Sequence, residues 1–310
     1  MFELSANNGR HIFEPLTRGE VLYESFHAGR CGKLSFGALE YDKDCRVNEG
    51  DSVSLRVNGA PVFFGVVFSK TTDGGGAVFT AYDQLRYFKN KDTYVYSEKR
   101  ASDVVRMIAG DYLLRVGEIS ETEHVIASRV EDNSTLFDIV ENALRLEREH
   151  KGKRYTLLDD FGGLSLKSEA EMRSNAVIDK DCAAWFRFFS SVDDCFNRVK
   201  LFRSDRKTGG REIFIAEDAE SIRKTGVLQY CATLGDGENG AEKARRVLSL
   251  HSGAKRTLHA GNVPGEPSVR GGSTVRVRMA GFDADATVTR CVHKLSGGRH
   301  FMDLELGGLP

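Results

Sequence analysis

The sequence predicts an α+β, β-rich chain in which two related small β-barrel domains flank an α/β middle domain. Three observations predict it. Short Val-, Phe- and Leu-rich runs separated by Asn, Asp and Gly turns occupy both ends of the 310-residue chain. Between them lie segments with the apolar spacing of helices. One stretch near the N-terminus also has a counterpart near the C-terminus. On this reading residues 1–90 form the first barrel and 91–177 the middle domain. Residues 178–310 form the second barrel, with an inserted helical segment near 236–252.

The first ninety residues hold the runs VLYESF, KLSFGAL, SVSLRV, PVFFGVVFSK and AVFTAYD. Asn8-Gly9, Asn58-Gly59 and Asp73-Gly74 are hairpin-turn pairs, because both residue types tolerate positive φ. In AYDQLRYFKNKDTYVY the strand ends at Tyr82, and Asp83 can cap a short helical turn that points Leu85 and Phe88 inward. Asn90 to Asp92 then turn the chain, and TYVY resumes as strand.

In the middle section, Ser102 is expected to cap a helix through about Leu114, with Val104, Val105, Ile108 and Ala109 inward. Ser134 is expected to cap a second, with Leu136, Ile139, Val140, Ala143, Leu144 and Leu146 near one face. RYTLLDDFGGLSLKS reads as a hairpin turning at Asp160 to Gly163. From about Ile178, WFRFFSSV, NRVKLFRS and REIFIAED read as strands, with a turn at Lys207 to Gly210. A helix follows from Asn239 to His251, and STVRVRM, ATVTRCVHKL and HFMDLELGG close the chain as strands.

The internal similarity joins EGDSVSLRVNGAPVFFGVVFSK to RGGSTVRVRMAGFDADATVTRCVHK. Gly50, Val53, Arg56 and Gly59 match Gly272, Val275, Arg278 and Gly281 without a gap. Any two hairpins share alternation and turn chemistry, so duplication and coincidence both stay open on these residues alone.

Composition narrows the functional classes. Lys and Arg total 44 against 45 acidic residues, a balance that gives no general drive toward nucleic acid or membrane. The six cysteines, Cys31, Cys45, Cys182, Cys195, Cys231 and Cys291, form no CxxC pair and read as free thiols in a reducing compartment. The opening MFELSANNGRHIFEPL lacks the basic start and apolar core of a secretion signal. The longest apolar run, Ala60 to Phe68, is too short to span a bilayer as a helix. Folding in the cytoplasm without stable membrane insertion is the expectation.

Candidate chemistry is sparse. Residues 235–240, GDGENG, match GxGxxG between a strand-like run and a helix, but Asp236 and Glu238 would repel a pyrophosphate. Asp42, Asp44 and Asn48 resemble a calcium loop, yet Arg46 and Val47 stand where a ligand and a glycine belong. Asp283 and Asp285 alternate and could share a face, although a hairpin tip exposing two acids accounts for them. Cys291, His293 and His300 could approach one another across a terminal hairpin; zinc would want a fourth ligand. No catalytic, cofactor or metal residues are assigned.

The junction AYDQLRYFKNKDTYVY followed by ASDVVRMIA resembles the signature of the XkdQ/YqbQ family of PBSX-type phage tail proteins. The resemblance continues in order through STLFDIVENAL, YTLLDDFGGLSLK, NRVKLFRS with its TGGRE turn, and GVLQY. Phe88 and Thr225 depart from the pattern, where Leu and Trp are expected. The family is similar to the central baseplate hub of contractile tails and to late control protein D. The resemblance implies a homotrimer whose six pseudo-equivalent, tail-tube-like domains join a sixfold tube to a threefold spike. Implied partners are the tube or tube-initiator protein, the central spike and other baseplate proteins, with DNA only in transit. The implied location is the baseplate of a virion, defective prophage particle or tailocin assembled in the bacterial cytoplasm. No catalytic residue carries over.

Two other readings compete. A tail-associated peptidoglycan hydrolase lacks a credible carboxylate pair or zinc site. A receptor- or carbohydrate-binding β-module would expose aromatics, whereas Trp185, the one tryptophan, lies in an apolar run that reads as core. Phe63 to Phe68 and His300 to Leu306 are the candidate interface strands, with intradomain core as the alternative.

Overall fold

The computed structural model describes residues 1–39, 45–204, 210–235 and 238–309. The chain is β-rich, and its largest feature is a thirteen-stranded sheet made of two sets of strands. The first set runs, neighbour to neighbour, Thr17–Phe26, Lys33–Ala38, Gly76–Tyr82, Ala60–Asp73, Ser52–Val57 and Phe2–Asn7. The second runs Trp185–Ser191, Lys255–Pro264, Arg299–Gly307, Phe282–Ser296, Thr274–Met279 and Arg173–Asp179. The order and the antiparallel pairing agree down to the last strand. Phe2–Asn7 joins its set antiparallel, whereas Arg173–Asp179, which follows the middle section, joins parallel.

The agreement reaches single hydrogen bonds. Asn58 and Gly59 both take positive φ, as do Ala280 and Gly281, the geometry that tight hairpins require. Gly50 N–H donates to the Val67 carbonyl at 2.8 Å and Gly272 N–H to the Val288 carbonyl at 2.8 Å. Val67 N–H returns to Asp51 at 2.9 Å and Val288 N–H to Ser273 at 2.8 Å. Each long strand then bulges at the same place, between Val67 and Ser69 and between Val288 and Arg290. Similar turns alone would not reproduce these offsets, so coincidence fails as an account of the sequence similarity.

Each set has its own apolar core. Leu34, Phe36, Leu55, Phe63 and Phe79 fill the first, and Leu258, Val277, Val288 and Leu306 the second. The middle section follows the helical spacing read from the sequence. Helix α1 spans Ala101–Asp111 and α2 spans Leu136–Lys151. Their faces bury Val104, Val105 and Ile108 against Leu136, Ile139 and Val140. Asp83 caps the short 3-10 turn Gln84–Lys89, and Leu85 and Phe88 are buried as expected. The hairpin Tyr155–Asp159/Leu164–Ser168 turns through Phe161 and Gly162, both at positive φ.

Local corrections concern caps. Helix α1 starts at the Arg100 cap, with the Asp103 carboxylate accepting from Arg100 N–H, so Ser102 lies in the first turn, where it pairs with Thr122 and Glu121. This helix ends at Asp111, before the expected Leu114, because Leu113 takes positive φ. Thr135, not Ser134, caps α2 by accepting from Asp138 N–H at 3.1 Å. The strand Ile126–Thr135 pairs with Lys91–Lys99 although its EDNST segment has the composition of a loop.

Residues 192–254 leave the second set between Trp185–Ser191 and Lys255–Pro264. They form a three-stranded sheet of Arg198–Ser204, Arg211–Glu217 and Gln229–Thr233, with α3 (Ala219–Thr225) and α4 (Gly240–His251). Val199, Leu201, Leu234, Ala244 and Val247 make its core. The turn read at Lys207 to Gly210 lies, apart from Gly210, outside the described residues. No helix among the described residues is long and apolar enough to cross a membrane.

Candidate assembly interface

The two strand sets meet where Thr17–Phe26 pairs antiparallel with the distal part of Phe282–Ser296, from Phe26 opposite Arg290 to Val21 opposite Leu295. Backbone pairing makes the seam continuous, and side chains lock it. Glu24 accepts from Arg290, which also reaches Glu305 at 3.2 Å. The Tyr23 ring stacks on His293, 5.6 Å between centroids. Gly271 N–H donates to Ser25 Oγ at 3.0 Å, with no room for a Cβ against the Phe26 backbone.

Arg270 ties the seam to the middle section. Its guanidinium donates to Tyr23 Oη at 3.2 Å and to the Asp159 carbonyl at 2.7 Å, and pairs with Asp160 at 3.4 Å. Two buried carboxyls lie nearby. Burial, and then the charge of Asp159, push Asp83 well above the usual carboxylate range. Burial likewise raises Asp159. Asp83 accepts from Gly32 N–H at 2.7 Å and Leu85 N–H at 3.0 Å, so this side chain joins the first set to the middle section while Arg270 joins the second.

Cys291, His293 and His300 do come together, as a hydrogen-bonded row. His293 Nε2 lies 2.8 Å from the Val269 carbonyl, which can only accept, so Nε2 carries the proton. Nδ1 then accepts from His300 Nε2 at 2.8 Å. Both ring nitrogens are thus occupied, and among the described residues no group of three or more His, Cys, Asp or Glu is arranged to hold a metal ion. Burial first, then His300, lower His293 from about 6.5 to about 3.

That shift fixes a sign. The folded chain keeps His293 neutral while the unfolded chain protonates it, so stability from this group is full above about pH 6.5 and falls as acid is added. The slope is about 1.4 kcal/mol per pH unit down toward about pH 3. His293→Gln, which has no proton to take up, is expected to flatten the dependence of unfolding free energy on pH between about 4 and 6 by about one proton. Urea unfolding across that range measures it; equal slopes in the two proteins would contradict the assignment.

The other sequence candidates resolve into structure. Asp283 and Asp285 face Arg276, at 2.8 and 3.2 Å, and Arg173 reaches Asp285 at 2.8 Å. Hydrogen bonds from Arg173 and Arg276 hold the Asp285 carboxyl below its usual range, so it stays an ion-paired anion rather than a proton donor. In the glycine-rich loop, Asp236 and Gly237 lie outside the described residues. Gly235 N–H donates to the Glu238 carboxylate at 2.8 Å, and Lys243 and His150 take the same carboxylate. Gly240 lies against the Phe214 ring, which explains a glycine there without a nucleotide. Asp42 and Asp44 of the calcium-like loop are outside the described residues; Asn48 serves the turn, its N–H donating to Asp51 at 2.7 Å.

One expectation is overturned. Trp185 is exposed, together with Phe186, Phe188 and Phe189, on the strand that ends the second set. A run apolar on both faces reads as a doubly buried strand, but among the described residues Trp185–Ser191 pairs on one edge only, with Lys255–Pro264. The earlier interface candidates are mixed. Phe63 is core, while Phe64 and Phe68 are partly exposed and pack on Phe161 and on Tyr82 and Tyr87. Met302, Leu304 and Leu306 are core, while Phe301 is exposed.

Comparison with known proteins gives a consistent family and fold. The YQBQ-like family matches residues 21–307. The phage-like element PBSX protein XkdQ of Bacillus subtilis (strain 168) is 32% identical over 269 residues, 84% of this chain and 82% of that one. Among solved structures, the tail protein from Neisseria meningitidis MC58 superimposes with a TM-score of 0.70 at 15% identity, covering 99% of this chain and 96% of that one. The 43 kDa tail protein of prophage MuSo2 from Shewanella oneidensis gives 0.68 at 12% identity, covering 98% of each chain.

Proposed function

The chain belongs to the YQBQ-like family, a phage tail-like structural protein by homology and fold, and from that premise we propose that it is the hub of a contractile tail baseplate. Three copies form a pseudo-sixfold ring that connects the tail tube to the central spike, in a phage, a defective prophage particle or a tailocin. One observation carries the reading: each chain holds two strand sets with the same order, turns and bulge. A threefold assembly can meet a sixfold tube without mismatch when every subunit offers two similar surfaces. On this account the sets are two small barrels around residues 1–90 and 178–310, with the 91–177 section between them in sequence. The role is mechanical, with no cofactor and no reaction. The partners are the tube or tube-initiator protein, the spike and neighbouring baseplate proteins, and DNA only passes through.

The test is location. Gold-labelled antibody against the 192–254 insertion, applied to induced particles imaged by electron microscopy, is expected to mark the tube–baseplate junction. Label along the tube, or none on particles, would contradict the hub. The exposure of Trp185 and its phenylalanine neighbours favours one alternative, a carbohydrate-binding face. Binding to a glycan array that is lost in Trp185→Ala would establish it in place of the hub.

A further inference from the structure

The exposed strand Trp185–Ser191 ends the second set with one backbone edge unpaired among the described residues. Apolar edge strands of this kind invite another chain, and soluble proteins usually blunt them with charge. The internal repeat identifies the partner.

The register can be traced through the ladders. In the first set Val67 lies opposite Ala81, Ala81 opposite Leu34, and Leu34 opposite Tyr23. In the second, Val288 lies opposite Leu306, Leu306 opposite Leu258, and Leu258 opposite Phe188. Phe188 is therefore the counterpart of Tyr23, and Phe186 of Val21. Val21 and Tyr23 are 0% and 2% exposed, whereas Phe186 and Phe188 are 50% and 40% exposed. The difference is a missing neighbour: the edge at Val21 and Tyr23 is covered by Arg290–Leu295 of the second set, and among the described residues the edge at Phe186 and Phe188 has no such strand. Within the repeat, the segment that corresponds to Arg290–Leu295 is Ser69–Gly74 of the first set, counted from the shared bulge. Ser69, Thr71 and Thr72 are exposed.

Resting on the hub reading above, we propose that Trp185–Ser191 pairs antiparallel with Ser69–Gly74 of a second copy of this chain. The register is that of the internal seam: Tyr23 opposite His293 within the chain becomes Phe188 opposite Thr72 of the next, and Glu24 opposite Val292 becomes Phe189 opposite Thr71. First and second sets then alternate around a ring joined by one repeated contact, internal at every other position. The contact is head to tail, a geometry that gives a ring when the rotation between copies closes and a filament when it does not, and the pseudo-sixfold hub is the closed case.

Disulfide trapping in the full chain tests the register. Opposed Cα atoms in an antiparallel pair lie about 4.5–5.5 Å apart, inside the reach of a disulfide, whereas diagonal neighbours lie about 7–8 Å apart. In a Cys231→Ser background, Thr71→Cys with Phe189→Cys is expected to give, under mild oxidation, covalent species ending at three chains. Each single variant is expected to give none, and Thr71→Cys with Arg187→Cys, two residues out of register, at least ten-fold less. Unchanged thermal melting of the reduced variants shows that they fold. A trimer by light scattering with no Thr71–Phe189 cross-link overturns this contact and leaves the hub reading standing. Particles that lack the protein at the junction, with no trimer and no cross-link, overturn both. Equal cross-linking in and out of register overturns the pairing as well.

Discussion

Arg270→Met is expected to destabilise the protein by about 1.5–3 kcal/mol, because it leaves the buried Tyr23 hydroxyl and the Asp159 carbonyl without their charged donor. The guanidinium holds Tyr23 of the first set and the Asp159 carbonyl and Asp160 of the middle section, and it follows directly on Val269 of the second set. Methionine fills much the same volume, so the loss reports charge and hydrogen bonding rather than a cavity. The effect has a pH signature. Asp83 and Asp159 are raised in the folded chain, so their contribution to stability is lost as pH rises through the folded values. Without Arg270 these carboxyls move further up, and the variant should fall further behind the wild type at a pH above the folded values than at one near the ordinary carboxylate range. Urea midpoints at the two values measure this. An equal deficit at both, or Asp83→Asn failing to recover part of it at the higher pH, would contradict the role given to Arg270.

Gly271→Ala is the second large effect. A Cβ there would stand 2.1 Å from the carbonyl carbon and 2.5 Å from the Cα of Phe26. These are backbone atoms of a strand paired to Phe282–Ser296, so the methyl cannot be accommodated by a side-chain rotation. The seam must open, at a cost of at least about 3 kcal/mol, the upper end of ordinary overpacking. Gly110 supplies the contrast. It lies exposed in α1 with nothing near the added methyl, and Gly110→Ala should stabilise by about 0.5–1 kcal/mol through helix propensity. Thermal melting of the two variants beside the wild type gives the signs; a neutral Gly271→Ala would mean that the two sets are not packed as described.

Much of this architecture is legible in the sequence because local chemistry carries it. The Asn58-Gly59 turn, the Asp83 cap and the spacing of Val104, Val105 and Ile108 need no tertiary information. The repeat was also visible, since Gly50, Val53, Arg56 and Gly59 recur as Gly272, Val275, Arg278 and Gly281. What periodicity cannot convey is which side of a strand is covered. WFRFF reads the same whether a strand is buried on both faces or lies exposed at the end of a sheet, and for that reason Trp185 reads as core. The seam was hidden for a different reason. Arg270 and Tyr23 are 247 residues apart, and their meeting depends on the order in which the two sets close. Caps were misplaced by one or two residues because Ser102, Ser134 and Thr135 are all competent caps, and the tertiary fit of Thr122 and Glu121 decides where α1 begins.

The repeated strand order matters because, on the proposed reading, it lets one kind of contact serve both within and between chains. The internal seam is a worked example of the join: a strand pair, a salt bridge from Glu24 to Arg290, and a stacked Tyr23–His293 pair. On the proposed hub reading, each chain would supply two of six positions, which fixes the copy number at three.

The most direct measurement of the central claim is therefore the mass of the full chain in solution by light scattering across a range of concentrations. The account predicts a stable species of three times the 34.4 kDa chain. A strict monomer at every concentration, or a dimer that never advances to three, would contradict it.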